Sequence, residues 1–139
     1  MHEGSITIRL AAEVQEVERL NRLVRHFGEL HEIPGRTLYA VNLALDELVT
    51  NAILYGFESA ADQQILVRVE TSGNQLIATV EDNGREFDPL AHPIPDLTAP
   101  LEERQLGGLG VHLVRSLMDK VEYRREGAKN MLTISKRIR

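Results

Sequence analysis

The stretch LIATVEDNGREFDP, residues 76–89, contains the change of pattern on which the fold prediction depends. Its first half alternates apolar and polar side chains, which is typical of a β-strand with one buried face. The alternation stops at Asp82, where Asn83-Gly84 favours a turn. A strand end of this kind often positions a ligand-binding group, so the Asp82 carboxylate is a candidate fixed acceptor. An Asx or Asn-Gly turn with no ligand explains the same residues.

Periodic segments on both sides of this stretch predict a two-layer arrangement. Period-two segments predict strands, and apolar residues at three- and four-residue steps predict helices. The strands are at residues 5–10, 65–70, 76–81, 121–125 and 131–135, and the helices at 14–30, 37–55 and 111–118. Turns through Gly73-Asn74 and through Gly127 and Asn130 close two hairpins, and the proline-rich residues 82–105 form one long loop.

This element order predicts an α/β (α+β) two-layer sandwich. Helices cover one face of a mixed, mostly antiparallel sheet, and residues 1–139 form a single domain.

Composition excludes several classes of protein. Lys+Arg 16 against Asp+Glu 21 gives a net charge of -5, which disfavours binding to nucleic acid through its phosphates. The chain has no cysteine, which excludes thiol catalysis and thiolate metal sites, and which favours a reducing, cytoplasmic location. The first ten residues do not resemble a signal peptide, and no apolar run is long enough to span a membrane.

Two polar residues share one face of the second predicted helix. Glu47 and Asn51 are four residues apart, so their side chains lie one turn apart. A carboxylate beside a carboxamide suits Mg²⁺, and Glu47 could equally act as a base. The alternative is that both side chains face solvent.

A glycine-rich turn precedes the third predicted helix. Gly107-Gly108-Leu109-Gly110 would allow an anion to approach the backbone N–H groups of the helix N-terminus, or would serve only as a flexible hinge. There is no P-loop and no dinucleotide-binding glycine motif. The histidines show no metal-ligand spacing.

Three segments in this order resemble the N, G1 and G2 boxes of the GHKL ATPase superfamily, in particular its RsbW-like anti-sigma-factor serine kinases. They are residues 47–52, 81–89 and 107–114. The resemblance implies a Bergerat fold in which ATP lies beneath a long lid.

The resemblance also implies roles for residues around the nucleotide. Asn51 would coordinate the Mg²⁺ that bridges the phosphates, and Asp82 would accept a hydrogen bond from the adenine amino group. Gly84 would let the base approach, and Thr133 would lie near the adenine.

Three further residues would act on the phosphates and the acceptor. Glu47 matches the general base for the incoming serine hydroxyl. Gly108 and Gly110 would present backbone amides to the phosphates, which suits phosphoryl transfer because the reaction depends on positioning and charge neutralisation.

Two residues depart from the family pattern. Leu54 stands where many members carry Lys or Arg; Arg85, Arg104 and Arg115 are candidates to replace that cation. Glu86 stands where a second glycine is common, and its larger side chain would crowd the part of the site that holds the adenine.

The implied function is that of an ATP-dependent serine protein kinase and anti-sigma regulatory factor. It would phosphorylate a STAS-domain antagonist, sequester a sigma factor, and form a homodimer through its N-terminal strand and helix. An alternative, which Leu54 and Glu86 favour slightly, is an ATP-gated binding module with little or no kinase activity. A detached histidine-kinase ATPase domain is less favoured, because the chain lacks a dimerising helical hairpin with an acceptor histidine.

Overall fold

The secondary structure follows the predicted order of elements. The computed structural model describes residues 4–56, 63–91 and 108–139. Within these ranges lie β1 (Ser5–Leu10), α1 (Glu16–Leu30), α2 (Gly35–Tyr55), β2 (Ile65–Ser72), β3 (Gln75–Asp82), α3 (Gly108–Leu117), β4 (Lys120–Glu126) and β5 (Lys129–Arg137). One turn of 3-10 helix, Pro89–Ala91, lies in the predicted loop; residues 92–107 of that region lie outside the described residues.

The described strands form one sheet in the order β1-β2-β3-β5-β4. All its pairings are antiparallel, so the mixed character expected from the sequence is absent from the described strands. The reason lies in the connections. Two helices between β1 and β2 return the chain in the opposite direction, whereas a single helical crossover would give a parallel pair. Tight turns at Gly73 and Gly127, both with positive φ, close the β2–β3 and β4–β5 hairpins.

The core lies between the helices and one face of the sheet. In β3 the even-numbered residues from Leu76 to Asp82 are buried, and the side chains between them point to the other face. Asp82 therefore occupies a core-facing position at the end of a buried strand.

Helix α2 carries most of the helical contribution to the core. It begins directly after Pro34, whose carbonyl accepts a hydrogen bond from Leu38 N at 3.0 Å, and it contacts α1, α3 and the sheet. Buried side chains follow it along nearly its whole length, and Asn51 is one of them. The helix thereby brings a polar group into an otherwise apolar layer.

In the ranges that the structure describes, no helix combines the length and the hydropathy needed to cross a membrane.

Candidate functional site

A cavity lies between α2, the ends of β3 and β5, and the segment that follows β3. The cavity itself has a volume of about 30 Å³, and the space around it that opens to solvent brings the total to about 410 Å³. Its walls are mostly apolar, and a few polar side chains converge on it, as in many small-molecule sites. The apolar lining includes Leu48, Ala52, Val80, Phe87 and Leu132, and the polar lining includes Asn51, Asp82, Tyr123 and Asn130.

Asp82 supplies a buried carboxylate to this cavity. It is 8% exposed, and its Oδ1 accepts hydrogen bonds from Gly84 N and from Asn130 Nδ2, each at 2.9 Å. Burial raises the pKa of the Asp82 carboxyl, and the two donors and the Arg125 charge act in the opposite direction. Both of these donors, which lie in the described part of the chain, bind Oδ1, so they leave Oδ2 open to a ligand.

Gly84 lies where the turn after β3 meets the end of α2. A Cβ at this position would overlap the carbonyl oxygen of Gly56. Arg85 N donates to the same carbonyl at 2.8 Å. The structure thus gives Gly84 a packing role, while its predicted role in admitting the base stays a prediction.

Asn51 carries a buried polar atom without a partner. The residue is 7% exposed, and among the described residues its Nδ2 has no hydrogen-bond partner. An unpaired buried amide costs on the order of 1–3 kcal/mol, which a ligand in the cavity would recover. Rotation of the amide presents the oxygen instead, which is the atom that a hard cation prefers.

The residues of the cavity fit a nucleotide with Mg²⁺ better than a metal held by protein alone. In the described part of the chain, no group of three or more His, Cys, Asp or Glu residues could hold a metal ion. Mg²⁺ characteristically takes one or two protein ligands and completes its coordination with phosphate and water. The Asn51 carboxamide matches such a site.

Glu47 and Gly110 are in contact where α2 meets α3. A Cβ added to Gly110 would overlap Oε2 of Glu47, and the Glu47 Cδ lies 3.0 Å from that added atom. The first N–H groups of a helix have no partner within it, and Gly108 is the first residue of α3. The structure therefore brings Glu47 to the N-terminal turn of α3; Gly107 lies outside the described residues.

Thr133 does not line the cavity, so the structure gives no support to the prediction that placed it near the adenine. Its hydroxyl lies 3.4 Å from that of Thr79, its partner across the β3–β5 pair. Strand alternation places Thr133 and Asp82 on opposite faces of the sheet.

Asn130, three residues before Thr133 in the sequence, lines the cavity. The sequence had assigned Asn130 to a turn, but it lies in β5 and faces the core together with Leu132. The signal that could have identified it is its register, because Asn130 lies two residues before Leu132 and four before Ile134 in the same strand.

The structure shows the surroundings of Leu54 and of two of the arginines considered as replacements for the missing cation. Leu54 is 53% exposed on α2. Arg85 Nε donates to the Tyr55 carbonyl at 3.0 Å, and Arg115 donates to the Leu90 carbonyl. Arg104 lies outside the described residues.

Glu86 lies close enough to the cavity for its charge to act on Tyr123. Burial, and then the negative charge of Glu86, raise the pKa of the Tyr123 hydroxyl.

The chain is similar in sequence to known bacterial proteins. The family described as histidine kinase-like ATPase domain matches residues 10–136. An anti-sigma F factor of Clostridium kluyveri is 30% identical over 99% of this chain and 96% of its own length. A serine-protein kinase RsbW of Listeria monocytogenes is 30% identical over 96% of this chain and 87% of its own. The serine/threonine-protein kinase BtrW of Bordetella bronchiseptica is 27% identical over 73% of this chain and 71% of its own length.

The fold is also found among solved structures. The crystal structure of the RsbU and RsbW domains of a Mycobacterium tuberculosis protein superposes with a TM-score of 0.71 at 15% identity. The match covers 97% of this chain and 32% of that one. A histidine kinase domain from Erythrobacter litoralis gives a TM-score of 0.58 at 19% identity, over 90% of this chain and 60% of that one.

Proposed function

The chain belongs to the histidine kinase-like ATPase family, and from this we propose that it is an ATP-dependent serine protein kinase and anti-sigma regulatory factor. The observation that carries the proposal is the contact between Glu47 and Gly110, one helical turn from Asn51 at the edge of the cavity. A carboxylate at that place can act on an acceptor hydroxyl.

The cavity is proposed to hold ATP with Mg²⁺. Asp82 Oδ2 would accept a hydrogen bond from the adenine amino group, and the oxygen of the Asn51 carboxamide would bind the cation. Gly108 and Gly110, in the first turn of α3, would donate backbone amides to the phosphates. When bound, Mg²⁺ would supply charge neutralisation to the phosphates, as in other phosphoryl-transfer enzymes.

Glu47 is proposed as the general base. Its carboxylate would accept the proton of the serine hydroxyl as the serine oxygen attacks the γ-phosphorus, while the bond from the γ-phosphorus to the bridging oxygen of the β-phosphate breaks and ADP leaves. Helices α2 and α3 would hold the carboxylate in place. Because Asn51 is one turn further along the same helix, proton acceptor and cation ligand would keep a fixed separation.

The proposed partners rest on the relatives and on the family resemblance. An anti-sigma F factor is similar to this chain along nearly its whole length, and its name supports a sigma factor as one partner. The other proposed partner, a STAS-domain antagonist, is what the resemblance to RsbW-like kinases implies. We further propose that residues 1–139 act as one domain in the cytoplasm, and that β1 and α1 form a homodimer contact.

Label transfer from γ-labelled ATP tests the kinase proposal. An extract of the source organism is incubated with Mg²⁺, labelled ATP and either wild-type protein or Glu47→Gln. Wild type should label one small protein with acid-stable phosphate, and Glu47→Gln should do so at least about 100-fold more slowly, because the general base is lost. Asp46→Asn, one residue earlier, is the matched control and should label at the wild-type rate.

Two results would contradict the kinase proposal. Acid-labile label would indicate transfer to histidine. If Glu47→Gln transfers label as fast as wild type does, Glu47 is not the general base.

A second candidate function is an ATP-gated binding module, and the exposed apolar side chain of Leu54 favours it. An apolar residue at a position where many relatives carry a cation removes one phosphate contact. Capture of a partner that requires ATP, with no phosphate transferred, would support this function over the kinase.

A further inference from the structure

A buried hydrogen-bond network surrounds the Asp82 carboxylate. At its centre is Asn130, which is 5% exposed. Its Nδ2 donates to Asp82 Oδ1 at 2.9 Å and to the Arg85 carbonyl at 2.7 Å. Its Oδ1 accepts from the Tyr123 hydroxyl at 2.6 Å and from Arg125 Nη1 at 3.0 Å.

These contacts use the full hydrogen-bonding capacity of the Asn130 side chain. A carboxamide has two N–H donors and two oxygen lone pairs, and each of them has a protein partner here. Phe87 N approaches the same oxygen at 3.4 Å. Asn130 therefore has nothing left with which to bind a ligand, although it lines the cavity.

The network fixes the orientation of Asp82 instead. Because Gly84 N and Asn130 Nδ2 both hold Oδ1, rotation of the carboxylate would break two hydrogen bonds to a charged group. The fixed orientation keeps Oδ2 available as a hydrogen-bond acceptor in the cavity. Because the site has low polarity, a ligand that places no donor against Oδ2 loses binding free energy.

The edge strand β4 supports the arrangement through Tyr123, which lines the cavity, and through Arg125. Arg125 Nη1 also donates to the Gly84 carbonyl at 2.9 Å. This hydrogen bond and the one from Asn130 to the Arg85 carbonyl hold the turn after β3 against the sheet. Tyr123 and Arg125 are two residues apart in β4, so both side chains lie on the same face of the strand.

We propose that Asn130 is a positioning residue, supported by Tyr123 and Arg125, that makes Asp82 selective for a purine with an amino group at C6. A base with an oxo group there would place an acceptor against the fixed Oδ2, and the fixed carboxylate could not turn away from it. This inference rests on the proposed binding of ATP in the cavity. It adds that selectivity for the base depends on a residue that makes no hydrogen bond to the nucleotide.

Equilibrium titrations with ATP and with inosine triphosphate, both with Mg²⁺, test the inference. Wild type should bind ATP more tightly. Asn130→Ala should lose about tenfold in affinity for ATP, because Asp82 is released, while its affinity for inosine triphosphate should stay within about twofold. Tyr123→Phe removes one donor to Asn130 and should reduce the preference for ATP about threefold.

Thr133→Val is the matched control for these variants. It alters the same strand on the opposite face of the sheet, and it should leave both affinities unchanged. Thermal unfolding identifies any variant that does not fold.

Three outcomes would overturn the inference. An equal loss of affinity for both nucleotides in folded Asn130→Ala would indicate a merely structural residue. If Asn130→Ala does not fold, an unchanged preference in Tyr123→Phe overturns the inference in the same way. Wild-type protein that binds both nucleotides equally overturns the inference but leaves the proposed ATP site intact. Wild-type protein that binds neither nucleotide contradicts the proposed ATP site itself, so the two failures are distinguishable without any variant.

Discussion

Glu47 and Gly110 show how closely two single residues constrain each other. The carboxylate of Glu47 occupies the space that a side chain at position 110 would need. Glycine at this position therefore has a steric reason in addition to any contact with phosphate. The sequence identified both residues through the same resemblance, but their mutual contact depends on how α2 packs against α3, and no local pattern encodes that packing.

Gly110→Ala should disable the proposed base without unfolding the protein. The new methyl group displaces the Glu47 carboxylate, and misplacing a catalytic group by about 1 Å can cost about 100-fold in rate. Alanine also favours the helical backbone of α3, so the unfolding temperature should not fall. Initial rates of label transfer and thermal unfolding measure the two effects.

Gly35→Ala is the control for this change, because a Cβ there meets no atom within 4 Å. It should leave the rate unchanged. Label transfer at the wild-type rate by Gly110→Ala would show that the carboxylate is not needed where the structure places it.

At the scale of elements, α1 and α2 meet around a carboxylate with incomplete hydrogen bonding. Burial raises the pKa of Asp46, and a hydrogen bond with Asn21 acts against this rise. Among the described residues, Asp46 Oδ1 has no partner, and neither does the Oδ1 atom of Asn21 or of Asn42. Three acceptors without donors indicate an interface that a donor would stabilise.

Asp46→Asn should therefore increase the free energy of unfolding at pH 7 by about 0.5 to 1 kcal/mol, because the amide adds donors and removes a desolvated charge. The folded state of wild type binds the Asp46 proton more tightly than the unfolded state does, so the contribution of Asp46 to stability falls as pH rises through its pKa. The advantage of the variant should therefore shrink as the pH is lowered.

Urea unfolding at pH 7 and at acidic pH measures this difference. Glu13→Gln removes the same charge from an exposed position and should change stability little at either pH. A variant no more stable than wild type at pH 7 would contradict the description of this interface.

Strand alternation explains which site residues the sequence could identify. The alternation of residues 76–81 predicted a strand that ends at Asp82, which identified Asp82 as a candidate ligand-binding residue. Its position on the core face is seen only in the structure, where β3 includes Asp82 and buries it. Asn130 was assigned to a turn because asparagine is common in turns. Its hydrogen bonds to Asp82, Tyr123 and Arg125 come from two other strands, and such contacts leave no mark in the local sequence.

At the scale of the whole molecule, the site draws on the interior strands β3 and β5 and on α2. In the described sheet β3 lies between β2 and β5, and β5 lies between β3 and β4. Side chains on such elements are held more precisely than side chains on loops. The sequence predicted the elements and the hairpins, because both are local, whereas the pairing of β3 with β5 joins segments far apart in the chain. The lid over the nucleotide and the homodimer stay predictions.

Calorimetric titration of ATP with Mg²⁺ into wild type and into Asp82→Asn tests whether this cavity binds ATP through Asp82. Wild type should bind one ATP per chain, and Asp82→Asn should bind it at least about tenfold more weakly, because the charged acceptor for the adenine amino group is lost. Equal affinity in a folded Asp82→Asn variant, or no binding by wild type, would contradict the assignment of this cavity as the ATP site.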